Sequence, residues 1–132
     1  MSFRFFKIAA RLAIAASFAI TPAYAGAADF AFEPVKVDIK SGAGSELAVR
    51  ITDRRTGKPV AGAVIFRTRL DMSPDAMGEM LAEHEPAAST EPGVYRFKAN
   101  LTMAGGWAFK LQGKVPGEPE TIEGQVVFQA KD

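Results

Sequence analysis

The sequence predicts an all-β sandwich of about seven short strands, on the evidence of three features. Apolar and polar residues alternate with period two in several short segments. Gly- and Pro-bearing turns separate those segments, and little of the chain carries helical periodicity. PVKVDIK puts Val35, Val37 and Ile39 on one face against Lys36, Asp38 and Lys40, the pattern of a half-buried strand. SGAGS interrupts it, and ELAVRIT alternates again through Leu47, Val49 and Ile51. DRRTGKP is a polar connection, after which AVIFRTR supplies a β-branched and aromatic run. VYRFKANL opposes Tyr95, Phe97, Ala99 and Leu101 to Val94, Arg96, Lys98 and Asn100. GWAFKLQGKV aligns Trp107, Phe109 and Leu111, and IEGQVVFQA closes the chain as a last strand. Ala27 to Glu33 reads as a loosely ordered lead-in.

The first 25 residues read as a leader rather than as part of the fold. MSFRFFKIAAR is basic through Arg4, Lys7 and Arg11, LAIAASFAI is apolar, and TPAYA ends on small residues. That is the pattern of a secretory signal peptide cleaved near Ala25. A membrane anchor is the competing reading, but the apolar run is short for a span and lacks a flanking charge. The expectation is an Ala-rich bacterial leader at 1–25, a single domain at 26–132 in the periplasm, and no membrane span after cleavage.

Composition removes several function classes. The chain has 16 Lys and Arg against 15 Asp and Glu. Loss of the three basic leader residues leaves a slight acidic excess, a poor footprint for nucleic acid. No basic amphipathic segment points to a membrane surface. There is no cysteine and one histidine, His84. Thiolate metal sites, multi-histidine zinc sites, blue-copper sites and cysteine nucleophiles are therefore excluded. No serine stands in a nucleophile-elbow context. A non-catalytic protein is expected.

The connection from Asp71 to Gly93 carries no strand signal and is long for a compact domain, where such loops are often functional. It admits a short helical turn, with Ser73 as N-cap, Pro74 following and Asp75 in the first turn. Helical spacing would put Met77, Met80, Leu81 and His84 on one face, although Gly78 weakens that helix. DMSPDAMGEM holds Met72, Met77 and Met80, and Met103 lies in LTMAGGW on another connection. Thioether sulfur is soft, needs no deprotonation and favours Cu(I). Two connections bearing soft donors towards one end of a sandwich would make a small copper site. Ala104, Gly105 and Gly106 leave room beside Met103, and Trp107 is placed to shield the ion. The bland alternative is equally physical. Methionine fills irregular gaps, tryptophan is usually core, and a histidine between Glu83 and Glu85 is usually solvated. Asp71, Asp75, Glu79, Glu83, Glu85 and Glu91 read as a solvated acidic face, or as a surface for a cationic partner.

Taken together, TGKPVAGAVI, the Met-bearing DMSPDAM segment, EPGVYRF, LTMAGGWAFKLQ and the closing GQVVFQA resemble the YtkA-like/FixH family of small exported bacterial domains. The resemblance covers Val35 to Ala130, and Met-Ala-Gly-x-Trp after Pro-Gly-x-Tyr is its most specific part. It implies an immunoglobulin-like β-sandwich, associated with copper handling in heavy-metal efflux or in maturation of copper oxidases. Many members carry a Met-Pro-x-Met type segment in the loop, for which Met72, Met77 and Met80 are the corresponding residues. FixH proteins keep a membrane anchor, whereas the leader here has a cleavable pattern.

The expected function is thus a periplasmic copper chaperone or accessory. Its ligands for Cu(I) would come from Met72, Met77, Met80, His84 and Met103, with Trp107 shielding. Its partner would be a periplasmic or membrane-embedded metal-transport or oxidase-assembly protein. The alternative is an adaptor module whose Met-rich end contacts a partner protein directly.

Overall fold

In the computed structural model, which describes residues 29–132, the chain forms two stacked sheets and one 3-10 turn. The first sheet contains β1 (Phe30–Pro34), β3 (Gly42–Asp53), β7 (Val94–Leu101) and β6 (His84–Ala87), in the order β1-β3-β7-β6. The second contains β2 (Asp38–Lys40), β9 (Thr121–Lys131), β8 (Gly105–Lys114), β4 (Val64–Met72) and β5 (Met77–Leu81), in the order β2-β9-β8-β4-β5. Read from the N-terminus as A, A′, B, C, C′, D, E, F and G, these are the ABED and A′GFCC′ sheets of an immunoglobulin-like sandwich. All pairs are antiparallel except β2 with β9. The leader expected at 1–25 lies outside the described residues.

Two expectations need correction. The segment from Ala27 to Glu33 is not simply a lead-in, because Phe30–Pro34 is β1 and Phe30 is buried. Phe32 lies over β9, where a Cβ at Gly124 would run into its ring. The alternation from Val35 to Ile39 does not mark a half-buried strand either. After Pro34 the chain leaves the first sheet and joins the second at Asp38, and Val35 and Val37 are exposed on the way. Proline has no N–H for the ladder, so a change of sheet at Pro34 fits its chemistry.

The stretch after Asp71 also differs from the expectation. The short turn is present as a 3-10 turn at Ser73–Asp75, but Met72 rather than Ser73 holds the N-cap position. It ends at once: Ala76 adopts a left-handed conformation, φ 58°, and donates its N–H to Ser73 O at 3.0 Å. Met77, Met80 and Leu81 then lie on β5, and His84 lies on β6 in the other sheet, so there is no common helical face. Both are edge strands with little burial, which is why period-two alternation does not announce them. With these two strands and the β1/β2 division, the sandwich has nine strands among the described residues instead of about seven.

Between the sheets, Trp107, Phe109 and Leu111 of β8 meet Leu47, Val49 and Ile51 of β3 and Ile122 and Phe128 of β9 within one buried cluster. Tyr95 ties down the β3–β4 connection, donating its hydroxyl to Val60 O and accepting the Ala63 N–H. Among the described residues no helix is long and apolar enough to cross a membrane.

Candidate functional site

The methionine-bearing hairpin is organised by a buried carboxylate. Asp71 is 1% exposed, although its place in a run of acids predicted a solvated side chain. Its Oδ1 accepts the Ser73 N–H at 3.0 Å, an Asx turn that bends the chain out of β4. Its Oδ2 accepts from Arg69 Nε at 2.8 Å and Lys110 Nζ at 3.1 Å. Arg69 also reaches Gly78 O at 2.8 Å, tying β5 to the same network. Burial pushes the Asp71 carboxyl up, but bonds from Ser73, Arg69 and Lys110 outweigh it and hold the group well below the usual carboxylate range. Asp71 is therefore an anchor for the turn. The only local hint of this in the sequence is Asp two residues before Ser.

The turn in its place packs on the start of β8. Asp75 accepts the Gly106 N–H through Oδ2 at 3.0 Å. A Cβ on Gly106 would lie 2.9 Å from Pro74 Cβ. A Cβ on Gly105, whose φ is +137°, would meet the Asp75 carboxylate and lie 2.7 Å from Met72 Cε. The space expected beside Met103 exists, and the β4–β5 turn occupies it. The two methionine-bearing connections thus meet: Met72 is the Cα partner of Met77 and touches Gly105, two residues beyond Met103.

The candidate ligands divide by exposure. Met72 is fully buried in the core cluster, whereas Met77, Met80 and Met103 are 36%, 39% and 40% exposed. Trp107, expected as a shield, is also a fully buried core residue. Its Nε1–H donates to Met103 O at 3.1 Å, so it fixes the connection from beneath.

His84 belongs to a different part of the molecule. Its Nδ1 lies 3.0 Å from Ala82 O, and its Nε2 lies 2.5 Å from Thr68 Oγ1. A carbonyl only accepts, so Nδ1 carries a proton, and in the neutral ring Nε2 accepts from the hydroxyl. The ring sits edge-on to Phe109, with centroids 5.3 Å apart. His84 thereby bridges β6 of one sheet to β4 of the other. Thr68 is four residues from Met72 on β4, about 13 Å at the rise of a strand. The fold pairs Met72 with Met77, packs their turn on Gly105 and Gly106 just beyond Met103, keeps Met80 on the same edge strand as Met77, and holds His84 elsewhere.

A model of the YtkA-like family matches residues 24–112. The chain belongs to the YtkA-like family. The match includes both methionine-bearing connections and stops within β8. Among curated proteins none matches. Solved structures similar to this YtkA-like chain include the following two. One is the ZirS C-terminal domain, 10% identical with a TM-score of 0.45, the alignment covering 78% of this chain and 66% of that one. The chain thus spans a little under two thirds of that domain's length. The other is a conjugative transposon lipoprotein from Bacteroides eggerthii, 13% identical with a TM-score of 0.33, covering 76% of this chain and 96% of that one.

Proposed function

We propose that this YtkA-like domain is exported to the periplasm, its leader removed near Ala25, and that it binds Cu(I) there without acting on a substrate. Met77, Met80 and Met103 are the proposed sulfur donors. The observation that carries the reading is the exposure of three thioethers, two on edge strand β5 and one on the β7–β8 connection, beside the place where the β4–β5 turn packs on Gly105 and Gly106. The donor chemistry fits: thioethers are soft and neutral and carry no proton to lose, properties that suit Cu(I). Hard ions have less to hold them, since among the described residues no group of three or more His, Asp or Glu is placed to bind a metal. Met72 and Trp107 serve as the floor of the site. His84, with both ring nitrogens already bonded, serves the sandwich rather than the ion. The proposed partner is a periplasmic or membrane-embedded metal-transport or oxidase-assembly protein, which would exchange copper at this end of the domain.

Anaerobic titration with Cu(I) against a chromophoric chelator tests the proposal, with Trp107 fluorescence followed in parallel. Stoichiometric binding that is lost in a Met77→Leu/Met103→Leu variant is the expected result. Leucine keeps volume and removes sulfur. Binding that survives this change would place the ion elsewhere.

A second reading has its own observation. Met77, Met80 and Leu81, the last 57% exposed, form an apolar stretch on an edge strand, a surface suited to an adaptable protein contact. A contact surface should tolerate Met→Leu and fail on Met→Asp, the reverse of the order of sensitivity expected for copper.

A further inference from the structure

We propose that Met77, Met80 and Met103 form a reversible oxidation site, and that conversion of these thioethers to sulfoxides switches this end of the domain off. Four methionines fall within the described residues, and they differ sharply in access. Three are more than a third exposed, while Met72 has no exposed surface. Its methyl is pressed against Gly105, where even a hydrogen-to-methyl change would leave only 2.7 Å. An oxygen added to that sulfur would have to enter a close-packed core. The chain has no cysteine, so no thiol competes for an oxidant. Trp107, an oxidisable ring at this end, is sealed in the interior. The fold therefore confines readily oxidised sulfur to the surface where the two connections meet, and to β5 beside it.

The oxidant class is hypochlorous acid. The thioether lone pair attacks the chlorine of HOCl, the O–Cl bond breaks and hydroxide leaves with the bonding pair; hydroxide then adds at the chlorosulfonium sulfur and chloride leaves. The hydroxyl proton passes to water. Sulfur loses two electrons, and chlorine is reduced to chloride. The product is a polar sulfoxide whose sulfur no longer offers a soft donor pair to Cu(I). The same oxygen makes an apolar contact surface polar. A methionine sulfoxide reductase reverses the step, a dithiol supplying two electrons and two protons while the oxygen leaves as water. The loss of metal binding rests on the Cu(I) reading above; the order in which the sulfurs oxidise does not.

The test uses the protein exported with its own leader, treated with substoichiometric HOCl and read by peptide mass spectrometry with fragmentation to separate the sites. Met77, Met80 and Met103 should take up oxygen at least about tenfold faster than Met72, as access dictates. Comparable oxidation of Met72 in protein that is still folded overturns the proposal. In the copper titration, the oxidised protein should lose at least about tenfold in affinity and regain it after treatment with reductase and dithiol. Undiminished affinity with all three sulfoxides present overturns the switch. If the untreated protein binds no Cu(I), the metal reading falls and the switch of metal binding falls with it. The oxidation order is still decided by mass spectrometry alone.

Discussion

Met72 and Met77 are direct cross-strand partners on one hairpin, yet one has no exposed surface and the other is more than a third exposed. The same side chain thus does two jobs five residues apart. Met72 ends β4 and fills the core beneath Gly105, as a flexible apolar residue does in an irregular gap. Met77 begins β5 on the far side of the turn and offers its thioether outward. What separates them is the Asp71 network, which bends the chain at Ser73, and the left-handed Ala76, which releases it into an edge strand. A count of methionines near a loop does not measure a metal site, because the turn between them decides which sulfurs reach solvent.

This contrast can be broken by substitution. Met72→Ala should be the costliest change, losing about 2–5 kcal/mol through the cavity it leaves. A urea-denaturation midpoint close to wild type would mean that Met72 is not the floor of this end. Gly105→Ala should cost about 1–3 kcal/mol, because its Cβ would crowd Met72 and Asp75 from a left-handed backbone. It should also shift Trp107 fluorescence by moving the connection that Trp107 holds.

Asp71→Asn sharpens the account of the turn. Its carboxylate is buried, but Arg69 and Lys110 keep their ends in water, so a loss of about 1–3 kcal/mol at pH 7 is expected. The folded-state pKa lies below the unfolded value of about 3.9, so the stabilisation is complete above that value and lost as pH falls beneath it. The gap between wild type and Asp71→Asn should therefore narrow in urea titrations below about pH 4. A constant gap from pH 7 to pH 3 would remove the ionised carboxylate from the explanation. The smallest effect should come from Met80→Ala, within about 0.5 kcal/mol of wild type, as for other surface changes.

The inner face of the sandwich was legible in the sequence because Leu47, Val49 and Ile51, and again Trp107, Phe109 and Leu111, alternate in strands whose other residues are mostly more polar. The edges were not. Val35 and Val37 alternate as though half-buried, but they lie where the chain changes sheets. Met77, Met80, Leu81 and His84 have helical spacing only because two edge strands and a crossover happen to produce it. Asp71 was hidden among five other acids of the same region, since its burial depends on Lys110, 39 residues away. The small residues at Gly105 and Gly106 signalled room for a close approach beside Met103, but whether the two methionine connections meet was not legible in the sequence. Which sulfurs remain exposed depends on tertiary packing, and no local pattern carries that.

The central claim is that exposed thioethers, and neither His84 nor the buried Met72, hold the ion. X-ray absorption of the Cu(I)-loaded protein measures the ligand shell directly. A shell of sulfur alone, unchanged in His84→Gln and lost in Met77→Leu/Met103→Leu, is the predicted result. A nitrogen ligand that disappears with His84→Gln would contradict it and assign the metal to the seam between the sheets.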